Sequence, residues 1–161
     1  MKQYVKQISL MGIVSVSTIM AAPKLHDQLS ADIQELVVQL AQICNQECSK
    51  GSRAKLRDLL GEFKQVTVLQ ADLLKTGMPF EQVVTHKKVL ACIDVCQHKG
   101  PAVYEKVMAE LEQKGRLTDV MMTVQSMVDS FFASRDWSSM TTEKQIEYTL
   151  LVIDTALENI A

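Results

Sequence analysis

Past Pro23 the apolar residues return at three- and four-residue spacing almost without interruption. Leu29, Ile33, Leu36, Val37, Leu40 and Cys44 fall on one helix face, with Gln34, Gln42 and Asn45 opposite. The period predicts a first helix from about Asp27 to Ser49, with Gly51 as its stop. Leu56, Leu59, Leu60, Phe63, Val66 and Leu73 form a second stripe. It closes at TGMP (76–79), where Gly77 suits a left-handed cap and Pro79 the start of another helix. A third helix carries Val89, Cys92, Ile93 and Cys96 and runs into HKGP (98–101), the same punctuation with Gly100 as cap and Pro101 as opener. Val103, Val107 and Leu111 line a short fourth helix ended by Gly115. Thr118 and Asp119 begin a fifth bearing Val120, Val124, Met127, Val128 and Phe131. After the polar connector SRDWSSM (134–140), Thr141 or Thr142 caps a last helix with Ile146, Leu150, Ile153, Leu157 and Ile160 inward.

No stretch alternates polar and apolar residues between turn signals, so no strand is expected. The prediction is an all-α fold, a compact bundle of five or six helices arranged as helical hairpins. At 161 residues, 47% hydrophobic and 22% charged, the chain is rich enough in apolar side chains for one core.

The first residues follow another pattern. A short leader with Lys2 and Lys6 precedes the apolar run ISLMGIVSVSTIMAA (8–22), and Pro23 follows. That is the layout of a secretory signal peptide. The run is shorter than the about 20 apolar residues of a spanning helix and is diluted by Ser9, Gly12, Ser15, Ser17 and Thr18. Residues 1–21 are read as a cleaved signal peptide and 22–161 as a single helical domain, exported to a periplasm or secreted, meeting a membrane only during export. No cysteine lies near the cut, so lipid attachment is not expected.

Removing the leader takes the net charge from −2 to −4, leaving 15 basic against 19 acidic residues. That balance argues against nucleic acid as a partner. Lys50, Arg53, Lys55 and Arg57 form a local basic patch at a helix start, read as a solvated face.

The four cysteines stand as two C-x-x-x-C pairs, Cys44 with Cys48 and Cys92 with Cys96, 48 residues apart and each followed shortly by Lys-Gly. Residues four apart share a helix face, so each pair makes two rungs toward one neighbour. Bonding within a helix would have to pull Cβ atoms from about 5–6 Å to about 4 Å. Pairing between helices one and three is therefore expected, as suits an exported chain with an even cysteine count: Cys44 with Cys92 and Cys48 with Cys96 if the two run parallel, the favoured set, or Cys44 with Cys96 and Cys48 with Cys92 if they run antiparallel. Closing a loop of that length is worth about 4 kcal/mol in the chain-entropy view.

The alternative is a soft-metal site in which all four thiols bind copper or zinc. His86 and His98 flank the second pair but fall at the edge and on the polar side of the stripe. A dithiol oxidoreductase is disfavoured, because its C-x-x-C sits at a helix start, where the dipole lowers the thiol pKa. Met121, Met122 and Met127 share a stripe with Val124 and Phe131 and are read as core filling. Phe131, Phe132 and Trp137 are weak binding candidates, a cluster that could line a partner surface. No acid and base pair converges, so no catalytic residue and no cofactor is assigned. The function expected is that of an exported binding or structural protein, held by two inter-helix disulfides and acting through contacts with another protein.

Overall fold

Serine and glycine punctuation sets the helix ends. In the computed structural model, which describes residues 23–132 and 136–161, the first helix, α1 (Pro23–Glu47), gives way to α2 (Lys50–Lys75) across two residues. Ser49 is extended at φ −61° and ψ 154°, and its hydroxyl accepts from the Ser52 amide at 3.2 Å. This side-chain cap satisfies a free amide of the new helix and places the break ahead of Gly51. Gly51, expected as the stop, lies inside the first turn of α2 instead.

At the other end of α2 the expected glycine closure forms. Gly77 takes φ +85°, its amide donates to the Leu74 carbonyl, and the Met78 amide reaches back to Leu73. Pro79 precedes only a single turn, α3 (Phe80–Val84). His86 then caps α4 (Lys87–Gln113), its Nδ1 accepting from the Lys88 amide at 3.3 Å. Gly115, at φ +68°, ends α4 with the Arg116 amide donating to Leu111. After it come α5 (Leu117–Phe132), the short α6 (Asp136–Ser139) and α7 (Thr142–Asn159), whose cap is Thr141. The described residues contain no strand, and the fold is all-α, five long helices with two short ones.

One expected boundary is absent. HKGP does not separate two helices, because α4 runs through Gly100 and Pro101 as a single 27-residue element. A proline inside a helix costs about 3 kcal/mol through its lost hydrogen bond and ring clash. Val103, Val107 and Leu111, all beyond it, are buried in one cluster with Leu59 of α2. Each such side chain is worth about 1.5–3 kcal/mol when buried, so three together outweigh the proline. Pro101 itself is exposed, where its ring displaces no core side chain.

The long helices pack in the order α4, α2, α7, α1, α5. α2 and α4 are antiparallel, since Ser52 meets Glu110 and Glu62 meets Lys99. α7 lies between α2 and α1. It is antiparallel to α2, with Lys64 to Asp154 at 2.6 Å and Arg57 donating to the Leu157 carbonyl at 2.9 Å. It is parallel to α1, where Ser30 bonds Tyr148 and Asn45 donates to the Asn159 carbonyl. α5 runs back along α1, placing Val120 with Cys44 and Cys48, and Met127 and Phe131 with Ile33 and Val37. No helix of the described residues is long and apolar enough to cross a membrane. The signal-peptide reading of residues 1–21, with its cut before Ala22, lies outside the described residues.

If α4 is continuous, Pro101→Ala should restore an internal hydrogen bond. It should raise stability by about 1–2 kcal/mol, less than the full proline penalty because proline also stiffens the unfolded chain. Urea unfolding measures this, and an earlier midpoint for the variant would contradict an uninterrupted helix at Gly100–Pro101.

Candidate functional site

The corner between α1 and α2 gathers more chemistry than any motif predicted. Glu110, near the end of α4, accepts from the Ser49 amide at 2.6 Å, the Ser49 hydroxyl at 2.9 Å and the Ser52 hydroxyl at 2.5 Å. The carboxylate therefore sits on the start of α2, where free amides and the helix dipole favour negative charge. These bonds, led by that from Ser52, hold the Glu110 carboxyl below its ordinary value, with Lys106 adding to the effect. The hydroxyl of buried Ser52 is satisfied within this cluster.

Beneath the corner lie Cys44 and Cys48, 7% and 6% exposed, among Leu59, Val103, Val107, Leu111 and Val120. The Cys48 amide donates to the Cys44 carbonyl at 2.9 Å, so the last turn of α1 stacks the two side chains. Four residues apart, the two thiols share one helix face. Burial pushes the Cys48 thiol up to about 12, reinforced by Cys44 and Glu110, and burial raises Cys44 as well. Both are thus neutral near pH 7 and poor nucleophiles. Arg53, one turn into α2, opposes these shifts with its positive charge, and its Nε is buried with no hydrogen-bond partner.

The second pair is elsewhere. Cys96 is buried with Val66 and Val89, and half-buried Cys92 packs against the same cluster. Cys96 is raised by burial first and then by the nearby Glu62 carboxylate, which is bound to Lys99 at 2.8 Å.

All four cysteines are free thiols, and the expected bonds of Cys44 to Cys92 and Cys48 to Cys96 are not formed. The reason is the continuity of α4. With no break at Gly100, Cys92 and Cys96 belong to the first half of a long helix, opposite Val66 of α2, while Cys48 sits just before α2 begins. At 1.5 Å per residue the two pairs stand about 24 Å apart along the bundle, far beyond the about 7 Å Cα limit for a disulfide. The same separation removes the four-sulfur metal site. Among the described residues, no three His, Cys, Asp or Glu side chains are grouped to hold a metal.

The aromatic candidates divide. Phe131 and Trp137 are 2% and 3% exposed and meet edge to face at 4.9 Å, so they pack the core with Met140 and Tyr148. Phe132 is 42% exposed and touches Trp137 only from outside, with centroids 6.3 Å apart. Met127 is core as expected, whereas Met122 points outward. His86 serves as a helix cap and His98 is exposed.

Sequence reasoning placed Arg53 on a solvated face and gave no role to Ser49, Ser52 or Glu110. The serines carried a local signal, a capping hydroxyl at a helix start with the donor amide three residues on. Glu110 carried none, since only the α2–α4 register brings it to Ser49. No protein family, curated protein or solved structure matches the chain.

The depressed Glu110 carboxyl fixes the sign of a pH effect. Its contribution is present above the unfolded carboxylate value, near 4.3, and is lost as pH falls through the lower folded value. Glu110→Gln should lower stability at pH 7 by about 1 kcal/mol, the usual worth of a helix-start cap. Thermal melts from pH 7 to 3 should converge for the two proteins at the acid end. A constant gap down to pH 3 would refute a charged capping role.

Proposed function

We propose that this chain is an exported helical protein that acts by binding another protein through the paired faces of α2 and α4. The observation that carries the reading is an exposed apolar side chain on each helix of that pair. Val68 is 39% exposed and Val95 36%. In the antiparallel register set by Ser52–Glu110 and Glu62–Lys99 they lie at the same height, with half-buried Leu69 and Cys92 close to that level. A shallow surface depression of about 440 Å³ runs along the same side of α2, lined by Gly61, Lys64, Gln65, Val68, Leu69 and Asp72. An apolar depression flanked by Lys64 and Asp72, one charge of each sign, suits a protein partner's helix better than a polyanion.

Export is supported by the leader pattern of residues 1–21 alone. Neither part of the proposal requires a disulfide, and the bundle is held by its core and its capped helix ends.

Two measurements test the reading separately. Intact mass of the protein produced from the full chain should begin at Ala22, within a residue or two, in the exported fraction. A mass that retains Met1 in the cytoplasm would overturn export. A photo-crosslinking residue at Val68 or Val95, introduced in the native host, should yield a discrete adduct with one other protein. That adduct should vanish when the other position is changed to Glu, with the melting temperature unchanged. Persistence of the adduct in both Glu variants would overturn α2 and α4 as the contact face.

A further inference from the structure

Of the two C-x-x-x-C pairs, one is arranged as a ligand set. Cys44 and Cys48 stack on the last turn of α1, both buried on one face among Leu59, Val107, Leu111 and Val120. The charge of Arg53 acts on both thiols, and its buried Nε has no hydrogen-bond partner. A buried donor left unpaired is expensive, of the order of 1–3 kcal/mol and more when the group is charged. A negative charge on the thiol pair would be stabilised by that cation. Cys92 and Cys96 differ on each count. Cys92 is half-exposed, and the cation near Cys96, Lys99, is already paired with Glu62.

We propose that Cys44 and Cys48 form a two-coordinate site for a soft monovalent metal ion of the Cu(I) class, with Arg53 as its counter-charge. The step is a ligand exchange without oxidation or reduction. Two S–H bonds break, two metal–sulfur bonds form, and two protons pass to solvent. One positive ion and two thiolates leave a single negative charge, which the Arg53 guanidinium balances. Thiolates select soft ions, and a linear pair of sulfurs asks for no third ligand. Zinc would need four ligands, and the described residues bring no third His, Cys, Asp or Glu to the pair. Glu110 is engaged by Ser49 and Ser52 and stays a helix cap. Because both thiols hold their protons at neutral pH, binding strengthens with pH, up to about 100-fold per unit for two protons released. The site depends neither on export nor on a protein partner.

The test is anaerobic titration of the reduced full chain with Cu(I) in competition with a chromophoric Cu(I) chelator. One ion per chain should be held by the wild type and by the Cys92→Ser, Cys96→Ser double variant. Cys44→Ser and Cys48→Ser should each lose it. Arg53→Gln should bind about tenfold more weakly, and affinity should rise with pH. Should the serine variants fail to fold, Ag(I) protection of the wild-type cysteines from alkylation, mapped on peptides, gives the same answer. Protection confined to Cys44 and Cys48 supports the site. Absence of a retained ion, equal loss in the Cys92/Cys96 variant, or wild-type affinity in Arg53→Gln would overturn it.

Discussion

The packing of α4 along α2 is the constraint on which the rest of this structure depends. Val103, Val107 and Leu111 continue the apolar stripe that Val89 and Cys96 begin, and Leu59 and Val66 of α2 face that stripe on both sides of Pro101. Burial along this face holds the backbone helical through Gly100 and Pro101, against the local preference of both residues. Because α4 is long, its C-terminal end reaches the start of α2, and Glu110 can cap a helix that begins 60 residues before it in the chain. A broken α4 would have left that carboxylate without a fixed address.

The corner so formed ties several elements together. Ser49 ends one helix and starts the next, Glu110 clamps it from α4, and Arg116 at the start of α5 reaches Glu47 at 3.5 Å. On the far side Asn45 donates to the Asn159 carbonyl and accepts from the Ala161 amide, securing the end of α7. Individual contacts of this exposed kind are worth little, about 1 kcal/mol or less. Their weight comes from convergence on a hydrophobic cluster that holds Cys44 and Cys48. The thiols are inert there because burial disfavours their charged form, and the charge of Arg53, whose buried Nε has no hydrogen-bond partner, works against that effect.

Much of the architecture was legible in the chain. The periodicity of α1, α2, α5 and α7, the left-handed glycines at 77 and 115 and the cap at Thr141 all follow from local rules that hold wherever a helix begins or ends. Even the shared direction of α1 and α4 was readable, since each runs opposite to α2. The chemistry was far less so. Cysteine spacing is visible in sequence, but a disulfide is a statement about distance, and distance depended on whether one proline ended a helix.

The sequence by itself determined which residues are apolar, at what period they recur, and which residues favour helix ends, and these settle an all-α bundle. They do so because capping and amphipathicity act over a few residues. Tertiary structure alone decided that Gly100 and Pro101 lie within a helix, that the two cysteine pairs stand about 24 Å apart along the bundle, and that Glu110 reaches Ser49 and Ser52 at the α1–α2 corner. Each of those outcomes turns on burial against a partner helix distant in the chain, whose free energy outweighs the local preference and leaves no trace in residue spacing.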